Sequence, residues 1–284
     1  GSRVVWGEVC NNSNVHVLLA TATEPTRKQL SPLGTSIVDT LQGSLRTSNV
    51  GLSDGVASGK LVPIHLEAVS AHSNDGIVED TSELSDKQKA NATASWLVMN
   101  QLRTCVVFAP TIAKADELAF DLHAALNTKS GGKVAVAAVH SHKSSKENAR
   151  ALARFKSDNF AKKGVLHSVV VSVGMLREGF NFPALSAAVF AHVPRSAQSF
   201  WQMAGRVGRS SNGKVLGRVL CFGGEGIAHT MANVLADYDP ENTAISFGVS
   251  PRTMKGHVRA LVDPAMQATL RTQAATLRAR VQEL

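Results

Sequence analysis

The sequence predicts an α/β domain with a doubly wound, mainly parallel β-sheet flanked by helices, followed by a helical C-terminal tail. Short apolar runs alternate with helical stretches along the chain, which is typical of strand–helix–strand units. The strand candidates are continuously apolar, as expected for strands that are covered on both faces. In the last segment, apolar residues recur at helical spacing from Asp263 onward.

The predicted strands follow one another through the first 222 residues. They are 15–20, 61–69, 104–109, 133–139, 167–171, 187–193 and 215–222. Helices are predicted over 113–126, 145–155 and 197–206. The stretches 43–59 and 70–84 are rich in Ser, Gly, Asn and Asp, so they are predicted to be surface connections.

The predicted C-terminal helix has a clear start signal. Asp263 suits the N-cap position and Pro264 suits the first helical position. We expect this helix to dock on the domain, and a short contact with a protein partner is the alternative. Two heptads are too few to decide between them.

Positive charge is concentrated in one part of the chain. The 284 residues contain 30 Lys and Arg against 22 Asp and Glu, a net charge of +8. Between Lys129 and Arg218 there are fifteen basic and three acidic residues, a net charge of +12, which leaves −4 for the rest. A polyanionic partner for this stretch is therefore favoured.

Composition also excludes several classes of protein. Aromatic residues are only 5%, which argues against a β-sandwich or a carbohydrate platform. No apolar run is long enough for a transmembrane helix, so no membrane partner is expected. Three distant cysteines, Cys10, Cys105 and Cys221, fit neither a disulfide framework nor a zinc cluster, and no histidine pairing indicates a metal. An intracellular location is expected, with nucleus, mitochondrion and cytoplasm not distinguished.

Two short segments place polar side chains at strand ends. Thr21 and Thr23 directly follow the first predicted strand, and their hydroxyls can form hydrogen bonds across an interface. His140 and Ser141 follow the strand 133–139, at the edge where open α/β sheets collect ligands. Each pair alone is compatible with an ordinary turn.

The segment 172–183 combines a strand end with two glycines. Ser172 and the amide of Gly174 are placed to hold a phosphate without reading a base. Gly179 allows the backbone to turn or to approach a neighbour closely.

The segment 202–209, QMAGRVGR, is the most specific motif in the chain. Arg206 and Arg209 are three residues apart at a predicted helix end, so they project to nearly the same side. A guanidinium group suits a phosphate and stabilises charge on a phosphoryl group in transfer. Gly205 and Gly208 weaken a helix and indicate close packing.

With these four segments in this order, the chain resembles the second RecA-like lobe of superfamily 2 helicases and translocases. The branch it resembles most includes XPB-like and type I restriction-like ATPases. Thr21–Arg27 is similar to motif III with Glu24 inserted, Ser172–Pro183 to motif V and Gln202–Arg209 to motif VI. The resemblance covers about residues 15–222.

The resemblance implies a role for each candidate site residue. Arg206 and Arg209 would face the γ-phosphate of ATP, with Arg209 as arginine finger, and Gln202 would help to orient the nucleotide. Gly179 and Asn181 would lie near the nucleotide. Contacts to the backbone of DNA or RNA fall to Ser172, Gly174, His140 and Ser141. Coupling to the first lobe falls to Thr21 and Thr23.

The resemblance also divides the chain into segments. Residues 1–34 would hold the end of the first lobe and a linker, 35–238 the second lobe, and 239–284 a helical extension. No GxxxxGK[ST] loop and no DEAD-like strand end occurs. ATP and Mg²⁺ would therefore be bound mainly by a first lobe, and this chain is expected to be a piece of a longer helicase that does not hydrolyse ATP alone.

Asn181 departs from the family pattern, which prefers Asp at this position. The loss of that charge puts efficient ATP hydrolysis in doubt. It keeps open a degenerate RecA-like module that binds nucleic acid or protein without hydrolysis. An unrelated α/β protein, such as a glycosyltransferase, is a third alternative that the ordered motifs oppose.

Overall fold

The computed structural model describes most of the chain between 52 and 260. The described residues are 52–72, 78–79, 84–157, 164–176, 180–194, 196–223, 230–231, 233–234, 239, 244–248 and 258–260. The predicted strand 15–20, the segment with Thr21 and Thr23, and the helix predicted from Asp263 lie outside these residues. All described residues belong to one compact unit, 51–284, and the predicted domain boundaries stay predictions.

The described strands form one mainly parallel sheet. They are β1 (Ile64–His72), β2 (Val78–Glu79), β3 (Thr104–Phe108), β4 (Lys133–Val139), β5 (Val165–Ser172), β6 (Ala187–Phe190), β7 (Gly217–Phe222), β8 (Ile245–Gly248) and β9 (Val258–Ala260). The order is β2-β1-β7-β6-β3-β5-β4, with β8 and β9 also paired to β1. Only β2 and β9 pair antiparallel, so the predicted parallel α/β fold is confirmed.

Helices cover both faces of this sheet. They are α1 (Leu52–Ala57), α2 (Asp86–Met99), α3 (Ile112–Ser130), α4 (Ser145–Phe155), α5 (Ala197–Ala204) and a 3₁₀ turn, η1 (Gly205–Gly208). One apolar core joins the sheet to α4 and α5 through residues such as Phe155 and Phe200. The second joins it to α2 and α3 through Trp96 and Leu118.

Helix α2 was not predicted from the sequence. Its start is fixed by a capping box, in which Gln88 N donates to Ser85 Oγ and Ser85 N donates to Gln88 Oε1. Seven residues between Ala90 and Leu97 are buried, and they cover nearly the whole circumference of the helix. Burial on all sides removes the one-sided apolar periodicity by which a surface helix is recognised.

Other element boundaries also differ from the prediction. Helix α1 lies within the predicted connection 43–59, while β1 runs into 70–84 and β2 lies inside it. The strand predicted over 187–193 ends at Phe190, shortly before Pro194, and the helix predicted over 197–206 tightens into η1 after Ala204. Strands β8 and β9 fall in 239–284, where a helical extension was predicted.

Candidate functional site

The turn that carries Arg206 is held by α5 on one side and by β1 on the other. Phe200, Met203 and Ala204 are buried and fix α5 to the core. In η1, Gly208 O accepts a hydrogen bond of 2.7 Å from Val62 N. A Cβ at Gly208 would lie 2.9 Å from Ile64 Cδ1, so only glycine fits without a shift. The close packing that the glycines predict is therefore present at Gly208.

Arg206 and Arg209 converge on one peptide of the 172–183 segment. Arg206 is 9% exposed, and its Nη1 donates to Phe180 O at 2.6 Å. Arg209 Nη1 donates to Asn181 Oδ1 at 2.6 Å and, at 3.4 Å, to Phe180 O. The predicted helix-end geometry was wrong, because Arg206 lies in η1 and Arg209 in the extended backbone after it. Their guanidinium groups nevertheless meet at Phe180–Asn181.

The bond between Arg209 and Asn181 joins a cation to a neutral acceptor. No carboxylate of the described residues lies within salt-bridge distance of Arg209. An aspartate in place of Asn181 would hold the same guanidinium but would neutralise it. Arg209 is partly exposed, so it presents at the surface a guanidinium that no carboxylate of the described residues neutralises.

Lys214 is a further cation of this site that sequence reasoning missed. Its Nζ donates to Pro183 O at 3.1 Å, Leu185 O at 2.6 Å and Arg209 O at 2.9 Å. Burial, and secondly the charge of Arg209, lower the pKa of Lys214 to about 8. The only sequence signal is a Gly-Lys pair before a strand, which carries no chemistry by itself.

These contacts make a site that fits phosphate better than metal. Arg209 offers a surface guanidinium, and the Lys214 ammonium anchors the carbonyls behind it. Among the described residues, no group of three His, Cys, Asp or Glu side chains is arranged to hold a metal ion. The geometry therefore suits an anionic group such as a phosphate.

The residues expected to contact nucleic acid lie around the ends of β4 and β5. Gly174 is exposed with φ of +70°, and Ser141 is exposed. His140 is 3% exposed, with Nε2 3.1 Å from the Asp116 carboxylate, and Ser172 is fully buried. In this conformation, a direct contact therefore falls to Ser141 and Gly174, while the His140 and Ser172 side chains lie behind the surface.

The two groups of residues lie at opposite ends of the parallel strands. The backbone of Arg209 pairs with Leu61, which precedes the start of β1, whereas Ser141 and Gly174 follow the ends of β4 and β5. Gln202 is partly exposed on α5, and Gly179 lies outside the described residues. A ligand bound at Arg209 and a nucleic-acid strand bound at Gly174 would therefore not compete for the same surface.

The part of the chain that carries most of these residues matches a known domain family. Residues 88–211 match the helicase conserved C-terminal domain, which is less than half of the chain. This segment begins in α2 and ends just beyond Arg209. No curated protein sequence is significantly similar to the chain.

Solved structures of similar fold include nucleic-acid enzymes. The DNA-bound, ATP-dependent Type ISP restriction-modification enzyme LlaBIII is 12% identical, with a TM-score of 0.54, 81% of this chain covered and 18% of that one. A type I restriction enzyme HsdR fragment from Vibrio vulnificus is 21% identical, with a TM-score of 0.52 and coverages of 76% and 42%. S. cerevisiae Dbp5, bound to RNA and ADP BeF3, is 11% identical, with a TM-score of 0.51 and coverages of 93% and 56%.

These likenesses establish the fold as RecA-like, of the kind found in helicase C-terminal domains. The RecA-like prediction is therefore confirmed, and residues 88–211 carry the sequence pattern of that domain. The chain spans less than two thirds of each of these three structures. No helix in the described part of the chain has the length and apolar character needed to cross a membrane.

Proposed function

We propose that this chain is the C-terminal motor lobe of an ATP-dependent nucleic-acid helicase or translocase of superfamily 2. The observation that carries the proposal is the convergence of Arg206 and Arg209 on Phe180–Asn181, within a segment that matches the helicase C-terminal domain. Similar folds in a DNA-bound ATP-dependent enzyme and an RNA-bound, nucleotide-bound protein support it. The XPB-like branch remains a prediction.

The two arginines have different roles in this proposal. Arg206 is nearly buried and holds the Phe180 carbonyl, so it positions the loop. Arg209 is partly exposed and keeps its full charge on a neutral acceptor, so it is the arginine finger. When bound, ATP supplies the phosphoryl group that is transferred to water, and Arg209 stabilises the negative charge that develops there.

A first RecA-like lobe would complete the nucleotide site. The chain has no GxxxxGK[ST] loop, and its described residues offer no cluster for Mg²⁺. ATP and Mg²⁺ would be held mainly by that other lobe, with Thr21 and Thr23 coupling the two. Gln202, Gly179 and Asn181 would line the nucleotide from this side.

Nucleic acid would bind through its backbone. Ser141 and Gly174 are the exposed candidates at the ends of β4 and β5, and the stretch from Lys129 to Arg218 supplies the positive charge. Such contacts do not read base identity. DNA and RNA are therefore both proposed as partners.

An ATPase assay tests the proposal. This chain alone is expected to hydrolyse no ATP, while a longer protein that adds a first lobe is expected to hydrolyse ATP with Mg²⁺ and to respond to DNA or RNA. The same assay without Mg²⁺ is the control. Robust stimulated hydrolysis by the isolated 284-residue chain would overturn the assignment.

Asn181 favours one alternative function. A RecA-like module without hydrolysis would have no need of the aspartate that the family prefers at this position. In that case the chain would hold nucleic acid or protein only. A phosphate-cradling GxxxxGK[ST] loop encoded upstream in the same reading frame would exclude it, and its absence there would favour it.

A further inference from the structure

Strand β4 ends the sheet, and half of its main chain faces outward. Its only paired neighbour among the described strands is β5. Val139 O accepts from Val173 N, so this carbonyl points toward β5. Because main-chain groups alternate along a strand, those of Val134 and Val136 point away from the sheet. Lys143 Nζ donates to Ala138 O at 2.9 Å, which occupies the last outward carbonyl.

This edge lacks the usual protection against pairing. Natural edge strands are blunted by charged residues, proline or bulges. Between Val134 and Val139 the sequence is VAVAAV, and its small side chains are partly exposed up to Ala137. The charged Lys133 and a register shift beside it lie only at the beginning of the strand. No described residue hydrogen-bonds to the outward main-chain groups in the middle of β4, so they can pair with another chain.

A groove runs along both sides of this edge. It consists of two adjoining cavities of about 420 and 480 Å³, and both are lined by Val136 and Ala137. On the α3 side lies Phe120, which is 77% exposed, with Ala119 behind it. Phe120 therefore offers an exposed apolar ring beside the open strand.

The α4 side of the groove carries two arginines and one acidic residue, Glu147, whose carboxylate accepts from Ser144 at the start of the helix. Arg150 and Arg154 line this side one turn apart, and both are exposed. In an added strand, successive side chains point to opposite faces of the sheet. One set would therefore meet Phe120, and the alternate set would meet Arg150 and Arg154.

We propose that β4 binds an extended acidic peptide by strand addition. The peptide would exchange main-chain hydrogen bonds with Val134 and Val136. Its apolar residues would pack on Phe120, and its alternating carboxylates would face Arg150 and Arg154. The phosphates of a nucleic acid could pair with the two arginines, but a nucleic acid has no peptide N–H and C=O groups to bond with Val134 and Val136. This site does not depend on the function proposed above.

Fluorescence polarisation with labelled peptides tests this site on the complete chain. The probe alternates Val and Glu over eight residues, and a second peptide carries Lys in place of Glu. Val136→Pro removes the outward N–H and is expected to weaken binding of the Val-Glu probe by about tenfold or more. Val136→Thr keeps that N–H, and its affinity is expected to stay within about threefold of the original chain.

Charge reversal provides a test that does not depend on the proline variant. Arg150→Glu with Arg154→Glu changes only exposed side chains. The double substitution is expected to weaken binding of the Val-Glu probe by about tenfold and to confer binding of the Val-Lys peptide. If circular dichroism shows that Val136→Pro does not fold, the charge reversal tests the proposal by itself.

Three outcomes would overturn the proposal. The first is absence of Val-Glu binding, or binding that neither set of substitutions changes. The second is binding of an oligo-dT probe, but of neither peptide, that the charge reversal abolishes. The third is self-association of the chain that Val136→Pro abolishes, which would make a second copy the occupant of the edge.

Discussion

Arg209 and Asn181 show how one uncharged side chain sets the properties of a site. The amide oxygen of Asn181 holds the guanidinium at 2.6 Å but, being uncharged, does not neutralise it. The family pattern identifies both positions from the sequence. It does not reveal that Arg206 is nearly buried, because burial depends on the approach of Phe180 from 26 residues away. The positioning contact of Arg206 therefore required the structure, whereas Arg209 was already expected to be the arginine finger from the motif.

Lys214 leads to a prediction about pH. Burial lowers its pKa to about 8 from the ordinary 10.5, so between these values the unfolded chain binds more protons than the folded one. The free energy of unfolding should therefore rise with pH across this window. Lys214→Met should lack that part of the rise, as measured by chemical denaturation at several pH values.

Lys133 provides the control for this experiment. It is exposed at the start of β4, so Lys133→Met removes a lysine without removing a buried ammonium group. Parallel pH profiles for the original chain and Lys214→Met would contradict the prediction.

Burial also changed the account of the residues expected to contact nucleic acid. The end of β4 at Val139 was predicted correctly because an apolar run stops there, and β5 ends at Ser172, one residue beyond the predicted strand 167–171. Which side chains at those ends reach the surface depends on the helices above them. His140 turns toward Asp116 on α3, so its burial follows from a contact with another element.

The junction between η1 and β7 depends on a glycine that no motif contains. A Cβ at Gly217 would collide with the backbone carbonyl of Val207, which cannot rotate away as a side chain can. Gly217→Ala should therefore destabilise the fold by about 3 kcal/mol. It should also displace the turn that carries Arg206. Urea denaturation would measure the loss.

Gly132→Ala is the matched control for this substitution. Its Cβ would meet only the flexible end of Leu166, so a smaller loss is expected. Equal losses for the two substitutions would show that the contact with the Val207 backbone does not limit packing.

At the level of elements, the hydrophobic pattern of the sequence predicted those helices and strands whose apolar residues form a recognisable run or repeat. Strands β3 to β7 are apolar runs, and α3 and α4 carry one-sided patterns, so all seven were found, with their ends shifted by a few residues at most. Helix α2 was missed because it is buried on nearly all sides, although the sequence contains the capping-box pattern Ser85-x-x-Gln88 at its start. The η1 turn was missed because its geometry follows from the contact of Gly208 with β1.

For the whole molecule, charge predicts a strong salt dependence of nucleic-acid binding. The stretch 129–218 carries +12, and its proposed contacts are to phosphates. With about four phosphates contacted, affinity should fall about a hundredfold between roughly 50 and 200 mM salt. Filter binding with DNA and RNA strands of the same base order should give similar slopes. A flat response would contradict a backbone contact.

The relation between the two sites is also a property of the whole fold. Motif order alone placed the arginines and the strand-end residues on one lobe. It did not show that they lie at opposite ends of the parallel strands. That separation arises because the chain returns twice to the starts of the strands. After β5 it reaches Ala184, whose O accepts from Thr104, and after β6 it returns through α5 to Arg209, which pairs with Leu61. Under the proposed function, nucleotide and nucleic acid would therefore bind at separate places on this lobe.

The ATP turnover of Arg209→Ala, in a protein that includes the first lobe, tests the central claim most directly. We expect kcat to fall by about 10³-fold or more, while the affinity for a nucleic-acid strand stays unchanged. Arg103→Ala, at an exposed arginine before β3, should leave both quantities unchanged. Near-normal turnover by Arg209→Ala would contradict the role of this lobe as the source of the arginine finger.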